Sequence, residues 1–239
     1  MISVKGLTKS FDGRMVLDHI NLEVKTGELL VILGESGTGK SVLLKNMMGL
    51  IVPDEGAVII DGVDITKLRE KDLLKVRQKI GYLFQEGALY DFMTVYENLA
   101  FPLREHTTLN EKAIKAKIKV FLAIVDLKDV EDKYPAELSG GMKKRVGLAR
   151  AIIMDSKILL CDEPTSGLDP IRSRDISDLI RNVSKTLNCT TVITSHDLTN
   201  SFRIADRVAI LKDGKIIAQG TQKDIEASPQ AFVQEFINN

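Results

Sequence analysis

The chain has 239 residues, with 33 Lys and Arg against 33 Asp and Glu and 44% hydrophobic residues, a balance that suits one large globular domain or a domain with an inserted subdomain. With zero net charge nothing argues for a nucleic-acid binder, and no apolar run approaches the roughly 18 residues needed to span a bilayer. The start, Met1-Ile2-Ser3-Val4-Lys5, has neither a signal-peptide pattern nor a myristoylation glycine, and Cys161 and Cys189 lack metal-ligand spacing, so both read as buried free thiols in a reducing compartment.

The first third is rich in predicted strands, at 2–7, 16–24, 29–33, 57–61 and 80–84, separated by turn signals such as Asp12-Gly13, Thr26-Gly27 and Asp61-Gly62. A helix is predicted over 40–50, directly after Gly39. From about 86 to 153 the pattern is helical, with no convincing strand. One amphipathic segment there sets Ile114, Ile118, Phe121, Leu122 and Val125 on one face and leaves Lys112, Lys115, Lys117 and Lys119 as a solvated face. Beyond 156 strand and helix alternate: strand 157–161, helix 170–187, strand 190–194, helix 197–204 and strand 206–211. Asp213-Gly214 then turns the chain into a hairpin partner at 215–219. Alternating elements predict a parallel sheet with helices on its faces, and the helical block reads as an insertion into one α/β domain.

Gly34-Glu35-Ser36-Gly37-Thr38-Gly39-Lys40-Ser41 follows the apolar run Leu29–Leu33 and precedes a predicted helix, the strand–loop–helix setting that a phosphate-binding loop requires. Its glycines let backbone N–H groups close around phosphate oxygens, and the helix start adds partial positive charge. Lys40 would reach the β and γ phosphates, and the Ser41 hydroxyl would ligate Mg²⁺. Ile158–Cys161 is an apolar strand delivering Asp162 and Glu163 at its end. Two such acids alone are usually a polar loop start. With the phosphate loop upstream, Asp162 is the candidate for the Mg²⁺ shell and Glu163 for polarising an attacking water.

Several residues have two readings. His196 ends a strand and is either a satisfied structural histidine or a group that touches a γ-phosphate. Gln85 is an ordinary loop residue unless it serves the same site. Asp169-Pro170 makes a good helix N-cap and first turn, and Phe11 is either core or a surface on which adenine stacks. Leu138-Ser139-Gly140-Gly141-Met142-Lys143-Lys144-Arg145 predicts a helix start, with Ser139 as cap and an apolar repeat at Met142, Val146, Ala149 and Ile153. Three cations near the positive end of a helix dipole predict a negative partner there. Residues 82–101 hold six of the twelve Phe and Tyr, namely Tyr82, Phe84, Tyr90, Phe92, Tyr96 and Phe101, which form either a packing core or a groove for a partner helix.

Taken in order, these motifs make the chain resemble the ATP-binding subunits of ABC transporters along essentially its whole length. They are the Walker A at 34–41, the Q-loop at Gln85, the signature Leu138–Met142, the Walker B at 158–163, the D-loop Ser166-Gly167-Leu168-Asp169 and the switch His196. The resemblance implies a P-loop NTPase fold: a RecA-like core with an N-terminal antiparallel β-subdomain at 1–85 and 156–239, plus an inserted helical subdomain at 86–155. It also implies a head-to-tail homodimer joined through two ATP molecules. By that resemblance Phe11 would stack on adenine, while Gly34, Glu35, Ser36, Gly37, Thr38, Gly39, Lys40, Ser41 and Val42 would bind the phosphates. Ser41, Gln85 and Asp162 would surround Mg²⁺, Glu163 would act as general base, and His196 would contact the γ-phosphate. Ser139, Gly140 and Gly141 would reach the nucleotide of the other subunit, and Asp169 would link the two sites.

Within the superfamily the nearest resemblance is to the ATPases of Mla/Mce-type lipid transporters, carried by Met142 where most ABC proteins have glutamine, by Pro102–Thr107 and by Phe84–Tyr90. It implies a peripheral protein on the cytoplasmic face of the inner membrane. Permease subunits would dock near residues 86–104, and lipid would be contacted only through them. An ABC ATPase coupled to an amino-acid importer or a mechanotransmission complex is the alternative, and a non-transport ABC module a further one. DNA-maintenance members carry a long coiled coil between the Walker motifs, whereas here Lys40 and Asp162 lie 122 positions apart with no sustained heptads between them.

Overall fold

The computed structural model describes residues 1–238. In chain order the elements are β1 (Ile2–Phe11), β2 (Arg14–Val24), β3 (Leu29–Leu33), α1 (Lys40–Met47), β4 (Glu55–Ile60), β5 (Val63–Asp64), α2 (Glu70–Arg77) and β6 (Ile80–Leu83). Then come α3 (Val95–His106), α4 (Glu111–Ile124), α5 (Gly140–Ile152), β7 (Ile158–Asp162), α6 (Pro170–Leu187) and β8 (Thr190–Ser195). The chain closes with α7 (Leu198–Ile204), β9 (Arg207–Lys212), β10 (Lys215–Gly220), α8 (Gln222–Glu226) and α9 (Ala231–Asn238). Two compact units form, one from Met1–Arg77 and the chain from Thr190 onward, the other from Gln78–Cys189.

The first unit holds two layers of strands. An antiparallel sheet has the order β2-β1-β4-β5, with Ile2 of β1 opposite Val24 on one side and Ile60 on the other. In the second layer β3 lies between β8 and β9, parallel to both, and β10 returns antiparallel along β9 through the Asp213-Gly214 turn. Every residue of β3 is buried, as a strand flanked on both edges and covered on both faces demands. Leu43, Leu44 and Met47 of α1 are fully buried, each contributing about 1.5–3 kcal/mol of apolar burial. That packing fixes the start of α1 directly beyond the end of β3.

Within the second unit β6 and β7 pair in parallel, Ile80 opposite Ile158 and Leu83 opposite Cys161. Between them the described chain is helical. The core draws Leu99 and Leu103 from α3, Ile118 and Leu122 from α4, and Val146, Leu148 and Ile152 from α5. Cys161 and Cys189 are both buried thiols outside any disulfide, as expected, and burial pushes the Cys161 thiol up out of the range in which it would react. Lys117 departs from the solvated face assigned to it: its ammonium pairs with Asp155 at 2.5 Å and lies 5.5 Å from the Phe121 ring centre.

Asn98, wholly buried, knots the turn ahead of α3. Its Oδ1 accepts the Tyr90 N–H at 2.8 Å, and its Nδ2 lies 3.1, 3.0 and 3.0 Å from the carbonyl oxygens of Tyr90, Met93 and Thr94. Asn98→Ala strands several of these backbone groups, and the expected loss is about 3 kcal/mol. Urea unfolding checks it, and a loss below about 1 kcal/mol would contradict the knot's role.

Candidate functional site

The first unit carries the loop Gly34–Ser41 between β3 and α1. Gly39 begins α1 at φ 101°, and a Cβ there would meet the Val16 carbonyl oxygen of β2 at 2.9 Å, so both the turn and the close approach require glycine. Lys40 is buried, and its Nζ donates to the carbonyls of Gly34 and Glu35, each at 2.8 Å. The Thr38 hydroxyl donates to the Glu35 carbonyl at 2.9 Å, closing the loop on itself. Glu35, Ser36 and Gly37 are exposed, while Ser41 and Val42 are half-buried. A buried lysine folded over a glycine-rich turn at a helix start fits a phosphate chain, because such a turn aims backbone N–H groups and the positive end of the helix at an anion.

His196 follows β8 and is exposed. Next to it Asp197 caps α7, its Oδ1 accepting the Asn200 N–H at 3.0 Å. Glu35 and His196 line one cavity of about 580 Å³, so the fold brings these two expected site residues together, with Phe232 and Phe236 of α9 on another wall. The ring of Phe11 is 43% exposed with the Lys9 ammonium 5.3 Å from its centre, so Phe11 is not core.

In the second unit β7 delivers Asp162 buried at its C-terminal end, where the Tyr82 hydroxyl of β6 donates to its Oδ2 at 3.3 Å. Burial, then the Asp162 charge, pushes the Tyr82 phenol far above its usual range, so Tyr82 stays a donor. Glu163 sits at φ 42°, a left-handed conformation rare for a side-chain-bearing residue, in the turn where its carbonyl accepts the Ser166 N–H at 3.1 Å. Gln85 is exposed, and its Nε2 donates to the Ser166 hydroxyl at 3.1 Å.

Ser139 caps α5 as the sequence predicts, its Oγ accepting the Met142 N–H at 3.3 Å. A Cβ on Gly140 would lie 3.8 Å from the Leu168 side chain, so the signature turn rests beside the D-loop. Asp169 caps α6 by accepting the Arg172 N–H at 3.0 Å and pairs with the Arg172 guanidinium. The fold therefore gathers Gln85, the 163–169 turn and the signature turn within one unit.

Two of the three cations after the signature are engaged within their own unit. Lys144 is buried, with its ammonium donating to the backbone carbonyl of Gln85. Arg145 donates to the Val125 carbonyl at 2.8 Å and pairs with Asp126 at 3.1 Å. Both therefore serve their own unit, and the reason is tertiary: carbonyls 20 and 59 positions away compete for them. Sequence reasoning passed over Arg150 and Asn98, and it read Tyr82 only as one of an aromatic cluster and Lys144 only as one of three cations awaiting an anion. Nothing in their spacing marks them, since their partners are loop carbonyls or, for Tyr82, a carboxylate on the adjacent strand.

The set Ser41, Gln85 and Asp162 offers a hydroxyl, an amide oxygen and a carboxylate, the hard oxygen donors that Mg²⁺ prefers. Among the described residues no group of three or more His, Cys, Asp or Glu could hold a metal ion. No helix among them is long and apolar enough to cross a membrane.

Comparison with known proteins gives the same picture. The family model described as ABC transporter matches residues 17–166. The chain is 42% identical over 99% of its length to the probable ribonucleotide transport ATP-binding protein mkl of Mycobacterium leprae. It spans 68% of that relative and 66% of the Mycobacterium tuberculosis one, about two thirds of their length. It is 40% identical to the intermembrane phospholipid transport system ATP-binding protein MlaF of Haemophilus influenzae, covering 99% of this chain and 90% of that one. It is also 43% identical to the methionine import ATP-binding protein MetN of Carboxydothermus hydrogenoformans, covering all of this chain and 72% of that one. Among solved structures, the dimeric post-hydrolysis ATP-binding cassette MJ0796 bound to ADP and Pi superposes with a TM-score of 0.85 at 31% identity, over 92% of this chain and 98% of that one. A phosphate loop on a buried parallel strand, an acid-tipped second strand and a capped signature helix thus coincide with family and fold: the chain belongs to the ABC transporter family, as an ATP-hydrolysing cassette with the P-loop NTPase fold.

Proposed function

We propose that the chain is the ATPase subunit of a phospholipid transporter, seated peripherally on the cytoplasmic face of a membrane and working as a head-to-tail homodimer. The observation carrying the lipid assignment is the 40% identity, across 99% of the chain, to a protein named for intermembrane phospholipid transport. In this reading 1–85 and 156–239 form the ATP-binding core and 86–155 the helical subdomain. The loop Gly34–Val42 holds the phosphates, Phe11 stacks on adenine and His196 contacts the γ-phosphate. Ser41, Gln85 and Asp162 hold Mg²⁺, which when bound neutralises charge developing on the β and γ oxygens. Glu163 accepts the proton of the attacking water, and Ser139, Gly140 and Gly141 serve the nucleotide of the other subunit, with Asp169 linking the two sites. Hydrolysis of this kind needs mainly positioning and charge stabilisation, which these residues supply.

The exposed aromatics of the second unit support a permease seat near residues 86–104. Phe84, Tyr90, Phe92 and Phe101 all keep large exposed surfaces, Phe92 at 75%, and Tyr90 lies 5.7 Å from Phe92 and 5.6 Å from Phe101. Such a patch is costly on a free surface and typical of an interface core. A second reading, an amino-acid importer ATPase, is favoured by the 43% identity to a methionine import protein. Purifying the native complex and extracting its lipids separates the two. Phospholipid enriched over a detergent-matched control membrane protein is expected, whereas a permease with an amino-acid-binding protein and no enriched lipid would displace the lipid assignment.

A further inference from the structure

The helix that carries the signature is fastened to the loop that carries Gln85. Lys144 of α5 donates to the Gln85 carbonyl, and Arg150 of α5 donates to the carbonyls of Gly87 at 2.9 Å and Ala88 at 2.8 Å. Gly147 lies between these two cations on the helix; a Cβ there would meet the Gly87 Cα and the Leu83 side chain, each at 3.1 Å, so helix and loop backbones are in direct contact. The Gly87 N–H donates to the Phe84 carbonyl at 2.8 Å, so the backbone carbonyls of residues 84, 85, 87 and 88 are all engaged. Ala88 stands at φ 48°, a left-handed conformation an alanine holds only when its surroundings impose it.

Loop carbonyls ordinarily turn to water. Here two long cations, Lys144 buried and Arg150 half-buried, bind them, although burial penalises both charges. Arg150 also places its guanidinium 5.7 Å from the Tyr90 ring centre and 3.4 Å from the Asn98 amide oxygen, so the clamp continues into the segment with the exposed aromatics. We propose that Lys144 and Arg150 are positioning residues that lock the Gln85–Ala88 loop to the signature helix, so that Gln85 and the Ser139–Gly141 turn shift as one element. The proposal rests on the role assigned above to Gln85.

Hydrogen exchange on the full chain without nucleotide tests the lock, using Lys144→Met, which keeps the aliphatic stem, and Lys144→Arg, which restores a donor. In Lys144→Met the amides of residues 86–88 are expected to exchange at least about tenfold faster while those at 146–150 stay as in the parent chain, and Lys144→Arg is expected to restore protection. Steady-state hydrolysis should then show kcat reduced about tenfold with KM within about twofold, since the phosphate loop is untouched. Arg150→Lys repeats the comparison at the other end of the loop. Unchanged loop exchange in Lys144→Met would overturn the proposal, as would faster exchange spread along α5 or a fast loop with normal kcat. Gln85→Ala is the separate control: normal kcat there removes the role of Gln85, while the exchange pattern still reports whether the lock exists.

Discussion

Replacing Glu163 with glutamine is expected to leave ATP binding intact, lower hydrolysis at least about 100-fold and accumulate a closed dimer in Mg-ATP. The side chain emerges half-buried from a strained turn at φ 42° whose Glu163 carbonyl accepts the Ser166 N–H, so the backbone helps to set its direction. Glutamine keeps the volume and a hydrogen-bonding carbonyl but cannot take a proton from water, and loss of a general base removes about 10²–10⁴ in rate. In the proposed function ATP binding rests on Lys40 and the 34–41 loop, which this substitution leaves untouched, so affinity should change by no more than about threefold. Elution volume on a sizing column in Mg-ATP, together with phosphate release, reads both effects. Unchanged turnover would take the base role from Glu163, whereas a dead but monomeric variant would part binding from dimer closure.

The site was legible where function and local chemistry use the same residues. A fully apolar five-residue run before a glycine loop and a helix pattern made the strand–loop–helix of Leu29–Met47 legible, since a strand covered on both faces needs apolar residues on both. Ser139 and Asp169 were legible as helix caps for the same local reason. The short helix Glu70–Arg77 was not, since only Leu73 is buried and seven of its eight residues lie outside the core, leaving no apolar stripe to read. Helices α8 and α9 also escaped the sequence reading. Lys144 marks the limit most sharply. Counting charge along a helix predicts an anion; what the lysine meets is the Gln85 carbonyl 59 positions away, which only the packing of α5 against β6 brings near. Periodicity reports which face is apolar and is silent on which distant carbonyl a buried cation must satisfy.

The largest effect should come from mixing two inactive chains. Ser139→Arg puts a long cation at the cap of α5, where the exposed Ser139 and Gly140 leave room for the side chain without disturbing the unit's core. It should still bind ATP at its own phosphate loop, yet hydrolyse it at about 1% of the parent rate or less. Lys40→Ala removes the buried ammonium of the phosphate loop, and its own nucleotide binding should fall by tenfold or more, roughly the loss of one charge-assisted contact. If each nucleotide lies between the phosphate loop of one subunit and the signature of the other, a mixed dimer has one site with both defects and one site with neither. Random pairing of equal amounts makes about half of the dimers mixed, each with one of two sites intact, so activity should return to about a quarter of the parent rate for independent sites. If phosphate loop and signature acted within one subunit, every site in the mixture would carry a defect and activity would stay at the level of the separate chains. Recovery with equal mixing, absent when either chain is assayed alone at the same total concentration, therefore reads the geometry of the site directly from rate, without any structure of the dimer.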